Sequence, residues 1–392
     1  MIKDNQDQDT LKEIASVEII AKIEKGETID LDHVRILGDL NISKLNLASK
    51  TIERTDLEIN SLGLENNILI INSIIKVRNS EILGISNFSE LAFSEEFDFS
   101  GSEFKGIADF RGAKFYGPTD FSETSFSKEA LFDGSEFSGG AQFEGCQFIG
   151  WAEFIGSRIM GIAQFRRCMF SGKADFLKSQ FSEYKVDFSE SEFKGDTFFT
   201  RCIFSEDAYF IRCVFNGNID FGRSQFDGDL LTFKDSKFLD PKSQEDACRR
   251  AKNVSEKNGD KEAAGYHFYR EMDARRKQKP FYLRYPEFVF VQMMFGYGVH
   301  PWWLLTWWGI IVTAFGFLYW ITNGIEAATL SECIKFSFAT AIAPGYIASV
   351  INPGNIGYVL IPKYHGIAMA ETIFGTLLWA AFIATFARKY MK

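Results

Sequence analysis

The sequence is poor in the residues and motifs on which enzymes and ligand sensors depend. Its 392 residues include only four histidines, which are scattered along the chain, and no nucleophile is visibly paired with a base. There is no phosphate-binding GxxxxGKS loop, no EF-hand calcium loop and no arginine-rich voltage-sensor helix. These absences predict a protein that is not an enzyme and that uses no cofactor or metal. The histidines are His33, His267, His300 and His365.

Positive charge is also in short supply. The chain has 43 Lys and Arg against 52 Asp and Glu, which gives a net charge of −9, and this excludes nucleic acid as a partner of the whole chain. Residues 1–10 are polar, and residues 11–25 have a short amphipathic helix pattern that Gly26 ends. We expect residues 1–29 to form an N-terminal helix or cap, and the N-terminal domain to stay in the cytosol.

Phenylalanine, in contrast, is abundant and regularly spaced. The chain has 41 phenylalanines, and most fall in two columns that each repeat about every 11 residues. A small residue usually lies two positions before each aromatic, so that both point to the same face of an extended chain. The first column is Phe88, Phe99, Phe110, Phe121, Phe132, Phe143, Phe154, Phe165, Phe176, Phe188, Phe199, Phe210, Phe221 and Phe233. The second is Phe93, Phe104, Phe115, Phe126, Phe137, Phe148, Ile159, Phe170, Phe181, Phe193, Phe204, Phe215, Phe226 and Phe238.

A fixed period of this kind is typical of a solenoid, in which each rung stacks on the next. The pattern A-D-F-x-G-x-x-F resembles the pentapeptide-repeat family, and this resemblance implies a right-handed, four-sided β-helix with the aromatic and the small residue both inward. We predict this β-helix over residues 30–240, with two 11-residue units, about 22 residues, in one rung. Residues 30–86 carry Leu and Ile in place of Phe and are predicted to form irregular early rungs.

The cysteines fit this solenoid as packing residues. Cys146, Cys168, Cys202 and Cys213 all lie two positions before a phenylalanine, where Ala or Ser stands in other repeats. A metal or redox site would need two of them adjacent on one face with a histidine nearby. Cys248 and Cys333 lie in other segments, so no disulfide framework is expected.

The outward positions of the repeats carry an excess of acidic residues. Some pentapeptide-repeat proteins that bind topoisomerases mimic duplex DNA, and the resemblance admits that role here. We favour ordinary solvation of the outer surface, since basic residues interrupt the acid. They include Arg111, Arg166, Arg167 and Arg212.

After residue 240 the composition becomes helical and then apolar. Residues 241–280 are predicted to form an α-helical hairpin linker, broken at residues 257–260, where Asp260 can cap the second helix. Residues 281–300 are predicted to form an interfacial helix on the inner membrane surface; the alternative is the first turn of one long span. A basic cluster marks the cytoplasmic side. It consists of Arg275, Arg276, Lys277, Lys279 and Arg284.

Two apolar segments have the length of transmembrane helices, at residues 302–322 and 364–387. Arg388, Lys389 and Lys392 follow the second span, so both termini are expected in the cytoplasm of a multi-pass protein of the cell membrane. Trp302 and Trp303 at the start of the first span, and Tyr319 and Trp320 at its end, suit the two membrane interfaces.

The segment between the spans carries the functional prediction. Residues 331–342 are helical in composition but too short to cross a bilayer, and they are followed by an apolar loop with Gly and Pro. From about residue 300 onwards, this order of elements resembles the tetrameric potassium-channel superfamily. The resemblance implies a pore helix at 331–342, a filter-like loop at 343–348 and a homotetramer. The filter-like residues are Thr340, Ala343, Pro344, Gly345, Tyr346 and Ile347.

Three of these residues depart from the family's T-V-G-Y-G filter. Ala343 lacks the threonine hydroxyl, Pro344 has no N–H, and Ile347 replaces a glycine. The departures predict altered or weak potassium selectivity.

The second span contains three further candidate features. Gly375 lies where many family members have a hinge glycine. Phe382 and Phe386, one helical turn apart, are candidates for a hydrophobic gate or for plain lipid or helix contact. Glu371 is ionisable inside a span and therefore faces protein or water; we favour a hydrogen-bonded strut behind the pore helix over direct ion binding.

The sequence thus predicts a tetrameric pore-loop channel for a monovalent cation, with a cytosolic β-helix that regulates it or docks a partner. The expected partners are membrane lipids and a cytosolic protein or ligand. The alternative is a membrane-tethered interaction protein whose pore-like region does not conduct, which the abnormal filter residues favour.

Overall fold

The computed structural model describes residues 11–43, 45, 47–326, 328–342 and 360–390. The chain divides into two compact units, Met1–Glu271 and Met272–Lys392. Each unit is considered by itself below.

The first unit is a right-handed β-solenoid over residues 12–238, with short strands on four faces. Strands that are neighbours on one face lie one rung apart and pair in parallel. Phe97 pairs with Thr119, and Phe104 with Phe126, each 22 positions further along the chain. One rung therefore consists of two 11-residue units, which confirms the predicted β-helix and its period.

Within a regular rung the chain passes from face 1 to face 4. Face 1 contains Ile29–Asp32, Ile75–Arg78, Phe97–Asp98, Thr119–Asp120, Ala141–Gln142, Ala163–Gln164, Val186–Asp187, Ala208–Tyr209 and Leu231–Thr232. Face 2 contains Lys12–Ala15, Val34–Leu37, Glu81–Ile82, Glu103–Phe104, Ser125–Phe126, Gln147–Phe148, Met169–Phe170, Glu192–Phe193, Val214–Phe215 and Lys237–Phe238. Face 3 contains Leu40–Asn41, Ser86–Asn87, Ala108–Asp109, Ala130–Leu131, Ala152–Glu153, Ala174–Asp175, Thr197–Phe198 and Ile219–Asp220. Face 4 contains Ser49–Thr51, Asn67–Ile71, Leu91–Phe93, Lys114–Phe115, Glu136–Phe137, Arg158–Ile159, Gln180–Phe181, Ile203–Phe204 and Gln225–Phe226.

The core of the solenoid is built almost entirely from phenylalanine. Each predicted column separates into two stacks, because successive members lie on different sides of the rung. Phe132 stacks on Phe110 and Phe154 with ring centroids 4.8 and 4.7 Å apart. It meets Phe143 of the neighbouring stack edge-on at 5.5 Å. Stacked and edge-on contacts alternate through the core, an arrangement that aromatic quadrupoles favour.

One corner of the solenoid absorbs the two residues that interrupt the period. Ala163 pairs with Val186, 23 positions along, because the corner at residues 182–185 holds one residue more than the corner at 160–162. Glu183 there has a left-handed φ of 72°. A second four-residue corner, at 227–230, lies between Ala208 and its partner Leu231. The strands on either side keep their register, so the added residues bulge outward.

The solenoid begins earlier than the sequence predicts. Lys12–Ala15 forms a strand that pairs in parallel with Val34–Leu37, before helix α1, Ser16–Glu24, whose Ile19 and Ile23 are buried against the core. The start at residue 30 was placed too late because this strand carries no phenylalanine. A single π-helical turn, Leu57–Ser61, lies outside the rungs.

The other end of the solenoid is covered by two helices, α2, Pro241–Lys257, and α3, Lys261–Gln278. Asp260 caps α3, as predicted, by accepting hydrogen bonds from the Glu262 and Ala263 amides at 3.1 and 2.9 Å. Arg270 of α3 donates to the Phe233 and Ser236 carbonyls of the last rung. The helices thus satisfy backbone groups that a terminal rung would leave open.

The second unit is helical in its described residues. The elements after α3 are α4, Phe281–Pro286, a π-helical turn Glu287–Met293, a 3-10 turn Gly296–Gly298, α5, Pro301–Ile321, α6, Leu330–Ile342, a 3-10 turn Pro362–Tyr364, and α7, His365–Tyr390. Tyr297 has a left-handed φ of 51°, which separates the preceding helical turns from α5. Pro301–Ile321 and Pro362–Ala387 are long and apolar enough to cross a membrane.

Candidate functional site

The candidate site is the place where the short helix α6 packs between α5 and α7. Helix α6 has 13 residues, whereas a membrane span needs about 20. Glycines bring its neighbours close. A Cβ added to Gly316 of α5 would lie 2.8 Å from the Ile334 Cα, and one added to Gly375 of α7 would lie 2.6 Å from the Ala341 carbonyl oxygen. Both outer helices therefore approach the backbone of α6, which larger residues would prevent.

A buried carboxyl group ties the three helices together. Glu371 of α7 is fully buried, and its Oε2 accepts a hydrogen bond from the Tyr319 hydroxyl of α5 at 2.8 Å. Its Oε1 is hydrogen-bonded to the Ser337 hydroxyl of α6. Ser337 Oγ also lies 2.7 Å from the Val312 carbonyl oxygen of α5. An ionisable side chain at this depth is tolerated because its oxygens have partners.

Gly375, which the sequence marks as a possible hinge, is a contact point in this structure. Helix α7 continues without interruption from His365 to Tyr390. The missing side chain of Gly375 makes room for Ala341 at the end of α6. The hinge role stays a prediction.

The filter-like residues fall mostly outside the described part of the chain. Ala343, Pro344, Gly345, Tyr346 and Ile347 belong to this group, and only Thr340 is described. Thr340 is fully buried near the end of α6, and its hydroxyl has no hydrogen-bond partner among the described residues.

The two candidate gate residues pack on helix α5. The ring centroids of Phe382 and Phe386 both lie 6.2 Å from that of Trp302. Trp379 stacks on Phe382 at 5.5 Å. These contacts favour the helix-contact alternative, and the gate stays a prediction.

Tyr319, which suits a membrane interface by its place near the end of an apolar segment, packs inside the helical unit. Its ring is fully buried and meets Phe336 edge-on at 5.4 Å. Its hydroxyl is occupied by Glu371. Gly316 was not singled out at all, although a small residue inside an apolar span is a known signal of close helix contact.

The solenoid cysteines are hydrogen-bond donors as well as packing residues. All are free and buried, and Cys146, Cys168 and Cys213 donate to the Phe121, Phe143 and Phe188 carbonyls at 2.9, 2.9 and 3.1 Å. Ser191 and Thr124 make the same bond in other rungs. Burial raises the pKa of Cys213 to about 12, so its thiol keeps the hydrogen that it donates. Among the described residues no cluster of His, Cys, Asp or Glu suits a metal ion.

The outer surface of the solenoid pairs much of its acid with base. Arg111 forms an ion pair with Asp109 at 2.6 Å and Lys173 with Asp175 at 2.8 Å. Such pairing differs from the continuous negative charge that mimicry of DNA requires. The contacts therefore favour the solvation alternative.

The comparisons with known proteins identify the first unit. Its residues 78–125, 110–158, 121–169, 154–203 and 188–237 match a family described as Pentapeptide repeats (9 copies). The solenoid is therefore a pentapeptide-repeat domain. A search of the curated proteins and a search of the solved structures each found no match.

Proposed function

We propose that this protein is a tetrameric pore-loop ion channel that conducts a monovalent cation with altered or weak potassium selectivity. The proposal rests chiefly on one observation. A helix too short to span a bilayer, α6, is held between two span-length helices by the buried Glu371 and by two glycine contacts. The pentapeptide-repeat domain is then a cytosolic part that regulates the pore or docks a partner.

The place where α6 ends explains why this arrangement favours a pore. Helix α6 ends at Ile342, and the backbone that follows a helix end is stable at membrane depth only where protein or a water-filled cavity surrounds it. One copy of three helices encloses no such cavity. Several copies around one axis enclose it, and cyclic symmetry then gives a central pore lined by the segment after α6.

Helix α7 presents the surface on which copies meet in this arrangement. Met369, Ile373 and Leu377, spaced one helical turn apart, are 55%, 55% and 60% exposed. These side chains contact a neighbouring subunit or lipid, since water is a poor solvent for such a row.

The flanks of the spans set the proposed orientation. Basic residues lie before and within α4 and at the C-terminal end of α7, so we place both termini in the cytoplasm. Phe281, Tyr282 and Tyr285 of α4 are 78%, 71% and 60% exposed, which suits a helix lying on the inner membrane surface. Membrane lipids are therefore partners in this proposal.

The alternative, a membrane-tethered interaction protein, draws its support from the filter-like residues. Pro344 removes an N–H, and Ala343 removes a hydroxyl, from the segment in which the family coordinates its ion. In this alternative the pentapeptide-repeat domain carries the function and the membrane unit serves as an anchor.

Recording from the purified full-length chain in planar bilayers separates these functions. Gradients of potassium, sodium and chloride are applied in turn, and reversal potentials that follow the cation gradients support the channel. Glu371→Leu should abolish the currents, while Glu326→Gln, which changes an exposed carboxylate between the spans, should leave them intact. Silence under every gradient from protein that is demonstrably tetrameric would leave only the tether.

A further inference from the structure

A segment of the solenoid leaves the rungs and returns to the same edge. Residues 52–66, which we name the strap, connect Ser49–Thr51 to Asn67–Ile71, and these two strands pair antiparallel on face 4. All other strand pairs in the described part of the solenoid are parallel. The strap is therefore the loop of a β-hairpin, and the stacked rungs do not pass through it.

Leucine side chains of the strap lie on three successive rungs. A Cβ added to Gly112 would be 3.0 Å from the Leu64 methyl groups, and one added to Gly134 would be 2.7 Å from Leu64 Cδ1. One added to Gly156 would be 2.6 Å from Leu57 Cδ2. Each distance is shorter than a carbon–carbon contact of about 3.5 Å allows. A side chain at any of these three positions would therefore displace the Leu57 or Leu64 methyl groups from their present places.

The backbone conformation at the corner beneath the strap does not by itself require glycine. Gly112, Gly134 and Gly156 have left-handed φ values of 65°, 62° and 66°. Equivalent positions in other rungs have the same conformation but carry larger residues. Left-handed backbone disfavours such residues, yet the solenoid accommodates them there. These are Glu90, Lys178, Arg201 and Arg223, with φ values of 56°, 60°, 58° and 59°. At this corner, glycine occurs only in the three rungs that the strap covers. The sequence of these rungs is therefore matched to the docked strap.

Charged side chains hold the strap to the rungs at the same place. The Arg54 side chain is fully buried and donates to the Gly112 carbonyl at 3.2 Å. Glu58 is 2% exposed and lies 3.6 Å from Arg54 and 3.5 Å from Arg158 of the solenoid. Buried charges are stable only when they are paired, and Glu58, which is part of the strap, keeps its ion pair with Arg158 only while the strap is docked.

The charge network continues into the solenoid face. Arg158 pairs with Glu136 at 2.8 Å, and Lys114 pairs with the same carboxylate at 3.1 Å. Burial alone would raise the pKa of Glu136, but the bonds and charges of Lys114 and Arg158 outweigh it and lower that pKa below its usual value. The rung side of the network therefore holds two cations and one carboxylate, and Glu58 of the strap lies against the remaining positive charge at Arg158.

The rungs beneath the strap keep their own hydrogen bonds. The amides of Gly112, Gly134 and Gly156 each donate to the next rung, to the carbonyls of Asp133, Ile155 and Leu177, at 2.8 Å. Detachment of the strap breaks none of these bonds. It exposes a groove lined by three glycines and flanked by Arg158.

We propose that the strap is a detachable cover that docks as one unit on the groove formed by Gly112, Gly134 and Gly156, and that it opens without unfolding the solenoid. The proposal does not depend on ion conduction. Opening releases the Leu57 and Leu64 contacts and the Glu58–Arg158 ion pair together, because Leu57, Glu58 and Leu64 lie on one short hairpin loop.

Limited proteolysis with trypsin tests this directly in the purified full-length protein. The bond after Arg54 is protected while its side chain is buried, whereas Lys50 is exposed and serves as an internal reference site. In the variant Gly134→Asn, the asparagine can adopt the left-handed backbone conformation, but its side chain lies under Leu64. We expect cleavage after Arg54 to become about tenfold faster, since cleavage follows the population of the open form.

Gly145→Asn is the matched control, because Gly145 is also left-handed, with φ 74°, but contacts only Glu123 of the solenoid. It should leave the Arg54 cleavage rate unchanged. Equal rates for Gly134→Asn, Gly145→Asn and the unmodified chain, with circular dichroism unchanged, would overturn the proposal.

A second variant covers the case in which Gly134→Asn does not fold. Replacing residues 52–66 by Asn-Gly, a two-residue hairpin turn, should leave the β-sheet signal and its thermal transition in place. Loss of the folded solenoid in this deletion would show that the strap is a structural part of the rungs and would refute the cover.

Discussion

The two units of this protein are stabilised by internal contacts of opposite kinds. In the solenoid, every inward position recurs in the rung above and the rung below, so Phe132 has equivalent neighbours at 4.8 and 4.7 Å on either side. In the helical unit, the contacts that fix α6 occur once each: Glu371 with its two hydroxyl partners, and one glycine on each flanking helix. The structure of the solenoid therefore depends on many equivalent contacts, while the packing of the helical unit depends on a few unique ones.

This difference predicts how each unit responds to a single substitution. A change in the solenoid removes packing from adjoining rungs, whereas a change at Glu371 removes the polar tie of a whole helix. The two responses are separable by spectroscopy. All tryptophans except Trp151 lie in the second unit, so fluorescence reports chiefly on that unit and β-sheet circular dichroism on the solenoid.

The largest effect is expected from the middle of the aromatic core. Phe132→Ala should lower the free energy of unfolding of the solenoid by about 3–5 kcal/mol, since it leaves a cavity between two stacked rings. Thermal unfolding followed by circular dichroism measures the loss. Phe226→Ala is the comparison: this ring is half-buried near the end of its stack, and it should lose less. A similar loss at both positions would contradict the view that stacking on both sides sets the stability.

The next largest effect comes from pH, through a buried histidine of α3. His267 is 1% exposed, and burial, assisted by the charge of Arg270, lowers its pKa from 6.5 to about 4. The unfolded chain takes up a proton near pH 6.5 and the folded chain does not, so stability falls as pH drops from 6.5 towards 4. The full loss is about 3 kcal/mol.

Denaturant titrations at several pH values test this dependence. In the His267→Leu variant, the decrease in the free energy of unfolding between pH 6.5 and 4 should be smaller. The decrease that remains comes from the acidic residues. An unchanged slope in that variant would show that His267 takes up its proton equally in the folded and unfolded chains.

A smaller loss, concentrated in the helical unit, is expected from Glu371. Glu371→Leu leaves the Tyr319 and Ser337 hydroxyls without this partner, and should cost about 1–3 kcal/mol. Glu371→Gln keeps an acceptor for Tyr319 and a donor for Ser337, and should recover most of this stability. Tryptophan fluorescence during thermal unfolding in detergent is the measurement. If the solenoid transition shifted by the same amount, the two units would not be independent.

The smallest effect should come from a rung that exchanges one donor for another. Cys168→Ser keeps the bond to the Phe143 carbonyl, as Ser191 does in a neighbouring rung, and should change stability by less than about 0.5 kcal/mol. Cys168→Ala removes the donor and should cost about 1 kcal/mol. Denaturant titration distinguishes the two. Equal stability of the serine and alanine variants would reduce this position to packing alone.

The repeated unit was largely predictable from the sequence because its signal is repeated. The spacing of the phenylalanines indicated the period and the inward place of the cysteines, and the resemblance to the pentapeptide-repeat family implied the four-sided form. The strand Lys12–Ala15 and the strap escaped, because neither repeats and neither carries phenylalanine. Their positions depend on pairing with residues more than a dozen positions away, such as Val34 and Gly134, which local pattern does not encode.

The helical unit was predictable at the level of its elements. Length and hydropathy predicted helices close to α5, α6 and α7, with ends that differ by at most three residues from the observed bounds. The partners of Glu371 were a different matter. Tyr319 was assigned to the interface because an aromatic near the end of a span usually lies there, but its burial is decided by where α6 and α7 cross, which the sequence of α5 alone does not contain.

The corner at residues 182–185 has an implication for how such a domain lengthens. Since one extra amino acid is accommodated at an edge while the faces keep their alignment, small genetic insertions at that edge are tolerated, and duplication of a complete turn adds length without new design. A chain lengthened in this way would have a longer solenoid and an unchanged second unit.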